Sequence, residues 1–177
     1  MNDNNFIKLN RSCDGFLVPS GDKITLKKDT LIKITQSLGG DFTLYVNGNL
    51  VKISGKDGDA IGKKVEKTIK KEEDFNENII WDTLKTCYDP EIPVNIVDLG
   101  LVYNLITKKI SNNNYYIEIK MTLTAPGCGM GPVIAQDVEN KITNLSFVKD
   151  VLVELVWDPQ WNQDMMTEEA KLKLGML

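Results

Sequence analysis

The sequence predicts an α+β protein: a small N-terminal β-barrel or rolled β-sheet, then a two-layer α/β domain of order αββαβ. Three observations carry this. Residues 13–58 alternate apolar and polar side chains between Gly- and Asn-rich punctuation, the pattern of half-buried strands. Residues 59–74 are rich in Lys and Glu and lack aromatics, as a linker does. Beyond them, stripes of helical spacing interleave with strand alternation, which makes helices against a sheet. The domains are therefore expected at 1–62 and 75–177, joined by a charged linker at 63–74.

In chain order, Lys23–Leu26 and Leu31–Thr35 alternate and are separated by the polar Lys27-Lys28-Asp29-Thr30. Phe42–Val46, Asn47-Gly48 and Asn49–Ile53 form a hairpin signature, because Asn-Gly accepts the positive φ of a type I′ turn. A two-residue loop pairs Leu44 with Val51 and Phe42 with Ile53, putting four apolar side chains on one face. Asp74 with Glu77 is a capping-box pattern and predicts a helix start near Asp74. Ile80, Trp81, Leu84, Cys87 and Tyr88 then share a helical face, and Pro90 ends it. Residues 100–107 and 115–123 read as strands joined across Ser111–Asn114. A helix fits 132–144, with Pro132 at a first helical position and Ile134, Val138, Ile142 and Leu145 in a stripe. Residues 148–157 are a further strand, with Val151, Val153, Leu155 and Trp157 on one face. A short helix fits 167–174.

Composition narrows the function. The 177 residues are 42% hydrophobic and 26% charged, a globular balance, and no run approaches a membrane span. The start, MNDNNFIKLN, shows no secretory core, so a cytoplasmic location is expected. Net charge is −4, divided as +4 over residues 1–70 and −8 over 71–177. The run Lys63, Lys64, Lys67, Lys70 and Lys71 has no interleaved aromatics and reads as a solvated linker face rather than a nucleic-acid patch. Three widely spaced cysteines argue against a disulfide framework. The absence of histidine removes Ser-His-Asp and Cys-His catalysis, and HExxH and Cys₂His₂ zinc sites with them.

Chemistry concentrates in Thr122-Leu-Thr-Ala-Pro-Gly-Cys-Gly-Met-Gly-Pro132, between a predicted strand and a predicted helix. Gly127 and Gly129 flank Cys128, allowing a tight turn and leaving the sulfur uncrowded. The following helix N-terminus favours a thiolate, which is both the nucleophilic and the metal-binding form. The bland alternative is a Cys filling a gap in a turn. The loop is no nucleotide cradle, since Pro stands where G-x-G-x-x-G needs its last Gly. The second constellation is Asp89-Pro-Glu-Ile-Pro-Val-Asn-Ile-Val-Asp-Leu-Gly100, a rigid loop crowding Asp89, Glu91, Asn95 and Asp98 together. Either some of these carboxylates face Cys128, or Asp89 and Asp98 cap backbone N–H groups in the turns. The stretch Trp157–Met166 is a cover over the sheet or, where exposed, a docking surface. Cys87 reads as core; Cys13 sits in a polar lead-in with no motif around it.

The acidic loop through Tyr103, with Met121–Cys128, resembles the iron–sulfur cluster assembly domain shared by SufT, PaaD and an N-terminal segment of Mrp/ApbC-type ATPases. The tail from Trp157 to Met176, with Thr35–Thr43 and Asp59–Gly62, is similar to the SufT branch. The resemblance implies a non-enzymatic accessory role in iron–sulfur maturation. Cys128 would be the functional residue, with Glu91 a second metal-ligand candidate and Asp89, Asn95, Asp98, Thr124, Gly127 and Gly129 supporting it. Relatives often place Pro or Ala where Gly129 follows the Cys. The implied cargo is a labile, shared iron–sulfur cluster, with none tightly bound. The implied partners are cluster carriers, scaffolds and apo-protein clients, and a homodimer is one way to share ligands; neither nucleic acid nor membrane is expected. A cluster-free adapter is the alternative, and a one-cysteine thiol enzyme or redox sensor a third.

Overall fold

The computed structural model describes residues 5–65 and 72–177. The chain forms two compact units, Met1–Thr68 and Ile69–Leu177. Much of the expected linker, including Lys67, Lys70 and Lys71, lies outside the described residues.

The first unit is a six-stranded sheet with order β1-β4-β5-β6-β2-β3. Its strands are β1 (Ile7–Lys8), β2 (Cys13–Val18), β3 (Lys23–Leu26), β4 (Leu31–Leu38), β5 (Asp41–Val46) and β6 (Asn49–Ile53). Every ladder is antiparallel. Asn47 and Gly48 both take positive φ, and the hairpin register is Phe42↔Ile53 and Leu44↔Val51, as the Asn-Gly turn dictates. No ladder joins β1 to β3 among the described residues, so of barrel and sheet the ladders describe an open sheet. Leu9, Ile32, Leu44, Val51 and Ile53 fill its core. Cys13 joins them at 5% exposure, so its place is packing, not a polar lead-in. Burial raises its thiol pKa.

Residues 55–58, expected within the β region, instead begin a 3₁₀ stretch, Gly55–Ile61, capped by Ser54. Two polar clamps explain it. Asp41 accepts from the Gly55 N–H at 2.9 Å while pairing with the buried Lys52 at 3.3 Å. Arg11 donates through Nε to Asp59 at 2.7 Å and through Nη2 to Asp57 at 2.9 Å.

The second unit runs α1 (Glu77–Leu84), β7 (Val102–Ser111), β8 (Asn114–Met121), α2 (Gly131–Thr143), β9 (Val148–Leu155), a 3₁₀ turn at Gln163–Met165 and α3 (Glu168–Lys173). β8 is central, antiparallel to β7 and parallel to β9. Its Ile117, Ile119 and Met121 are fully buried, as are Ile80 and Leu84 of α1 and Ile134, Val138 and Ile142 of α2. Each such side chain contributes about 1.5–3 kcal/mol. The helix α1 starts later than Asp74 because Phe75 is engaged outside it. Its ring stacks on Tyr115 at 3.8 Å and meets Phe147 edge-on, and its N–H donates to Asn113. Asn76, not Asp74, therefore caps α1, accepting from the Asn78 N–H at 2.9 Å. The helix also closes at Lys85, before Pro90. β9 stops at Leu155, leaving Trp157 outside the strand and 44% exposed. No helix among the described residues is long and apolar enough to cross a membrane.

Candidate functional site

The Cys128 loop spans from the end of β8 to the start of α2. At its base, the Thr122 N–H donates to the Leu101 carbonyl at 2.8 Å. Leu123 and Met130 are buried, and they anchor the two arms. Gly131 opens α2 in close contact: a Cβ there would lie 2.8 Å from Leu123 Cδ1 and 3.3 Å from Leu155 Cδ1. Between these anchors Ala125, Pro126 and Gly127 are exposed, while Thr124, Cys128 and Gly129 are half-buried. Gly127 carries φ +76, which glycine alone adopts without strain, and nothing crowds its Cβ position. Gly129 is not in the left-handed region, so one of the two flanking glycines makes the turn. Cys128 is a free, half-buried cysteine whose carbonyl accepts from the Gly131 N–H at 3.1 Å.

The acidic loop is built from two local turns. Asp89 accepts from the Glu91 N–H at 2.9 Å, fulfilling its capping reading. Asp98 does not cap. Instead Asn95 Oδ1 accepts from the Val97 and Asp98 N–H groups at 3.0 and 2.9 Å, and Asn95 Nδ2 donates to the Asp98 carboxylate at 2.7 Å. The turn then ends as a helix does. The Leu101 N–H bonds the Ile96 carbonyl, the Gly100 N–H bonds the Val97 carbonyl, and Gly100 takes φ +72. Glu91 is exposed, whereas Asp89, Asn95 and Asp98 are half-buried. Asp89, Asn95 and Asp98 thus spend side-chain hydrogen bonds on holding the loop.

Topology brings the two loops to one end of the sheet. Leu101 closes the acidic loop and Thr122 opens the cysteine loop; the hydrogen bond between them continues the β7–β8 ladder beyond Val102↔Met121. Val156, leaving β9, joins the same end by donating to the Met121 carbonyl at 2.8 Å. Thr122 is 1% exposed, and its hydroxyl has no hydrogen-bond partner among the described residues. Among those residues no three His, Cys, Asp or Glu side chains gather to hold a metal, so Cys128 and Glu91 belong to no such cluster.

The family model described as iron–sulfur cluster assembly protein matches residues 77–155, from α1 to the end of β9, and includes both loops. A Fe-S protein maturation auxiliary factor of Porphyromonas gingivalis is 47% identical over 94 residues, 53% of this chain and 86% of that protein. The chain belongs to this family. Fe-S protein maturation auxiliary factor SufT of Staphylococcus aureus is 39% identical over 50% of this chain and 96% of its own length. The crystal structure of a domain of unknown function, DUF59, from Bacillus anthracis superposes with a TM-score of 0.50. It is 38% identical and covers 57% of this chain and 92% of its own.

Two features at this end of the sheet escape sequence reasoning. One is the buried Thr122 hydroxyl, which is visible only once its surroundings close over it. The other is the set of partners taken by the tail after β9, which the sequence offers only as a cover or a docking surface: Trp161 Nε1 donates to the Leu99 carbonyl at 2.7 Å and the Tyr103 hydroxyl donates to the Pro159 carbonyl at 2.7 Å. Met166 is 4% exposed and Trp161 and Met165 are half-buried, so these three side chains form the cover, whereas Trp157, residues 158–160 and residues 162–164 are exposed. The run Trp157-Asp-Pro-Gln-Trp-Asn-Gln-Asp-Met-Met166 carries no local sign of these long-range partners.

Proposed function

We propose that the protein is a cytoplasmic, non-enzymatic auxiliary factor in the maturation of iron–sulfur proteins, acting through Cys128. The observation that carries this reading is the 47% identity to a Fe-S protein maturation auxiliary factor across 86% of that protein. The half-buried cysteine on a loop with an exposed apex supports it. The cargo is a labile iron–sulfur cluster. Cys128 gives up its proton to solvent and takes an iron site by ligand exchange, with no change of oxidation state. One thiolate supplies one of the four ligands a cluster normally takes, so the remainder come from a second copy, a carrier or scaffold, or the apo-protein client. Exposed Glu91 is the proposed carboxylate contributor, and Thr124, Gly127 and Gly129 shape the loop. Incomplete ligation favours release. The expected linker and two-domain division, 1–62, 63–74 and 75–177, assign this role to the second domain.

A second reading is a cluster-free adapter that docks carriers to clients. It draws on the exposed run Ala125, Pro126 and Gly127 beside Cys128, a surface that needs no bound metal to meet a partner. Anaerobic reconstitution with iron and sulfide, read by visible absorption and Mössbauer spectra, separates them. The carrier reading expects a cluster in wild type that Cys128→Ser loses. If neither protein holds one in the presence of a second copy and free thiol, the carrier reading fails and the adapter stands.

A further inference from the structure

The tail after β9 is tied to the acidic loop by more contacts than a passing cover needs. Trp161 Nε1 donates to the Leu99 carbonyl at 2.7 Å, and the Thr167 N–H donates to the Asp98 carbonyl at 2.9 Å. Tyr103, just inside β7, donates its hydroxyl to Pro159 at 2.7 Å and lies 3.5 Å from Met165 Sδ. Met165 presses its backbone onto Gly100: a Cβ on Gly100 would fall 2.2 Å from the Met165 carbonyl oxygen. The tail is itself locked. Asn162 caps the 3₁₀ turn, Thr167 caps α3 by accepting from Ala170, and Met166 and Ala170 are buried. It lies beyond residue 155, where the match to the family model ends.

The residues it grips are the turn that Asn95 and Asp98 organise. That turn ends on Leu101, whose carbonyl receives the Thr122 N–H at the base of the Cys128 loop. The indole hydrogen bond, the short covalent path Leu99–Leu101 and one backbone hydrogen bond therefore lead from Trp161 to Thr122. We infer that the strap 157–174 is a positioning element for the site, with Trp161 and Tyr103 as positioning residues. They fix the Leu99–Leu101 turn and, through it, the placement of the Cys128 loop. The functional meaning of this placement rests on the cargo-transfer reading above; the placement itself does not.

The test uses the full chain carrying Trp161→Phe, Tyr103→Phe or both. Both changes keep an aromatic ring and delete one donor. Hydrogen exchange at the Gly100 and Leu101 amides is expected to quicken about five-fold per deleted bond, the population change one net hydrogen bond produces. Iodoacetamide alkylation of Cys128 is expected to quicken several-fold, with the buried Cys13 and Cys87 as internal references. Exchange at Ile117 and Ile119 in the core should not change. Wild-type exchange and alkylation in the double variant would overturn the inference. So would a uniform rise across the core, which would mean general destabilisation. Cluster retention is read separately. If the loop responds but wild type holds no cluster, the strap stands and the cargo reading falls. If Cys128→Ser abolishes retention while the double variant leaves loop exchange and alkylation at wild type, the reverse holds.

Discussion

Gly100 and Gly127 make a matched pair for weighing the strap. Both hold φ in the left-handed region, +72 and +76, so alanine at either costs about 1 kcal/mol in backbone strain. At Gly127 that is the whole effect, because nothing stands within 4 Å of the new methyl. At Gly100 the methyl would meet Met165 backbone, with the carbonyl oxygen at 2.2 Å and its carbon at 2.7 Å. Backbone cannot rotate aside, so the strap must lift. Lifting it breaks the Trp161–Leu99 and Thr167–Asp98 bonds, each worth about 1 kcal/mol net. Gly100→Ala is therefore expected to destabilise the second unit by about 3 kcal/mol, and Gly127→Ala by about 1. Urea unfolding followed by tryptophan fluorescence reports on that unit alone, because Trp81, Trp157 and Trp161 are the only three tryptophans. Equal losses in the two variants would refute the argument that the strap bears on Gly100.

Other expectations concern the first unit. Lys52→Met leaves Asp41 without its cationic partner in a mostly buried place, the pair's side chains being 8% and 18% exposed. A loss of about 2–3 kcal/mol is expected, seen as faster exchange in β5 and β6, and moderated by the Gly55 N–H that Asp41 still receives. The Arg11 guanidinium holds the Asp59 carboxyl below its ordinary value of 3.8. A depressed carboxyl stabilises the fold above that value and loses the contribution as pH falls through the lower, folded one. Arg11→Gln should therefore differ from wild type in thermal unfolding at pH 7, and the difference should shrink as pH is lowered below that ordinary value; a difference that stays constant as the pH falls would contradict the pairing.

Legibility in the sequence followed the range of the interactions. The Phe42–Ile53 hairpin could be read to the residue pair because its turn chemistry is local. The α2 stripe was equally plain, since three of its four members are fully buried. Non-local pairing was not legible. β3 and β4 follow one another in sequence, yet β3 pairs with β2 and β4 with β1 and β5. The start of α1 moved because a distant aromatic pair, Tyr115 and Phe147, claims Phe75. In the candidate site, the loops and their glycines were visible, but the division of labour was not. Asp98 looked like a cap and proved to be the partner of one, Asn95. The signal was present in retrospect, because Asn-x-x-Asp-Leu-Gly is a single helical turn with its own start and stop. The strap's grip on Leu99 had no local counterpart to betray it.

The Cys128 loop joins a heavily fixed base to a free apex. Leu123, Met130 and Gly131 are packed so closely that their replacement disturbs the core, whereas the Gly127 position borders open space. Substitution at Ala125 or Pro126, both exposed, is thus little answerable to folding, whereas Gly127 is held to glycine by its left-handed φ alone. Sequence change can therefore collect at two positions beside Cys128 without disturbing the packing beneath it.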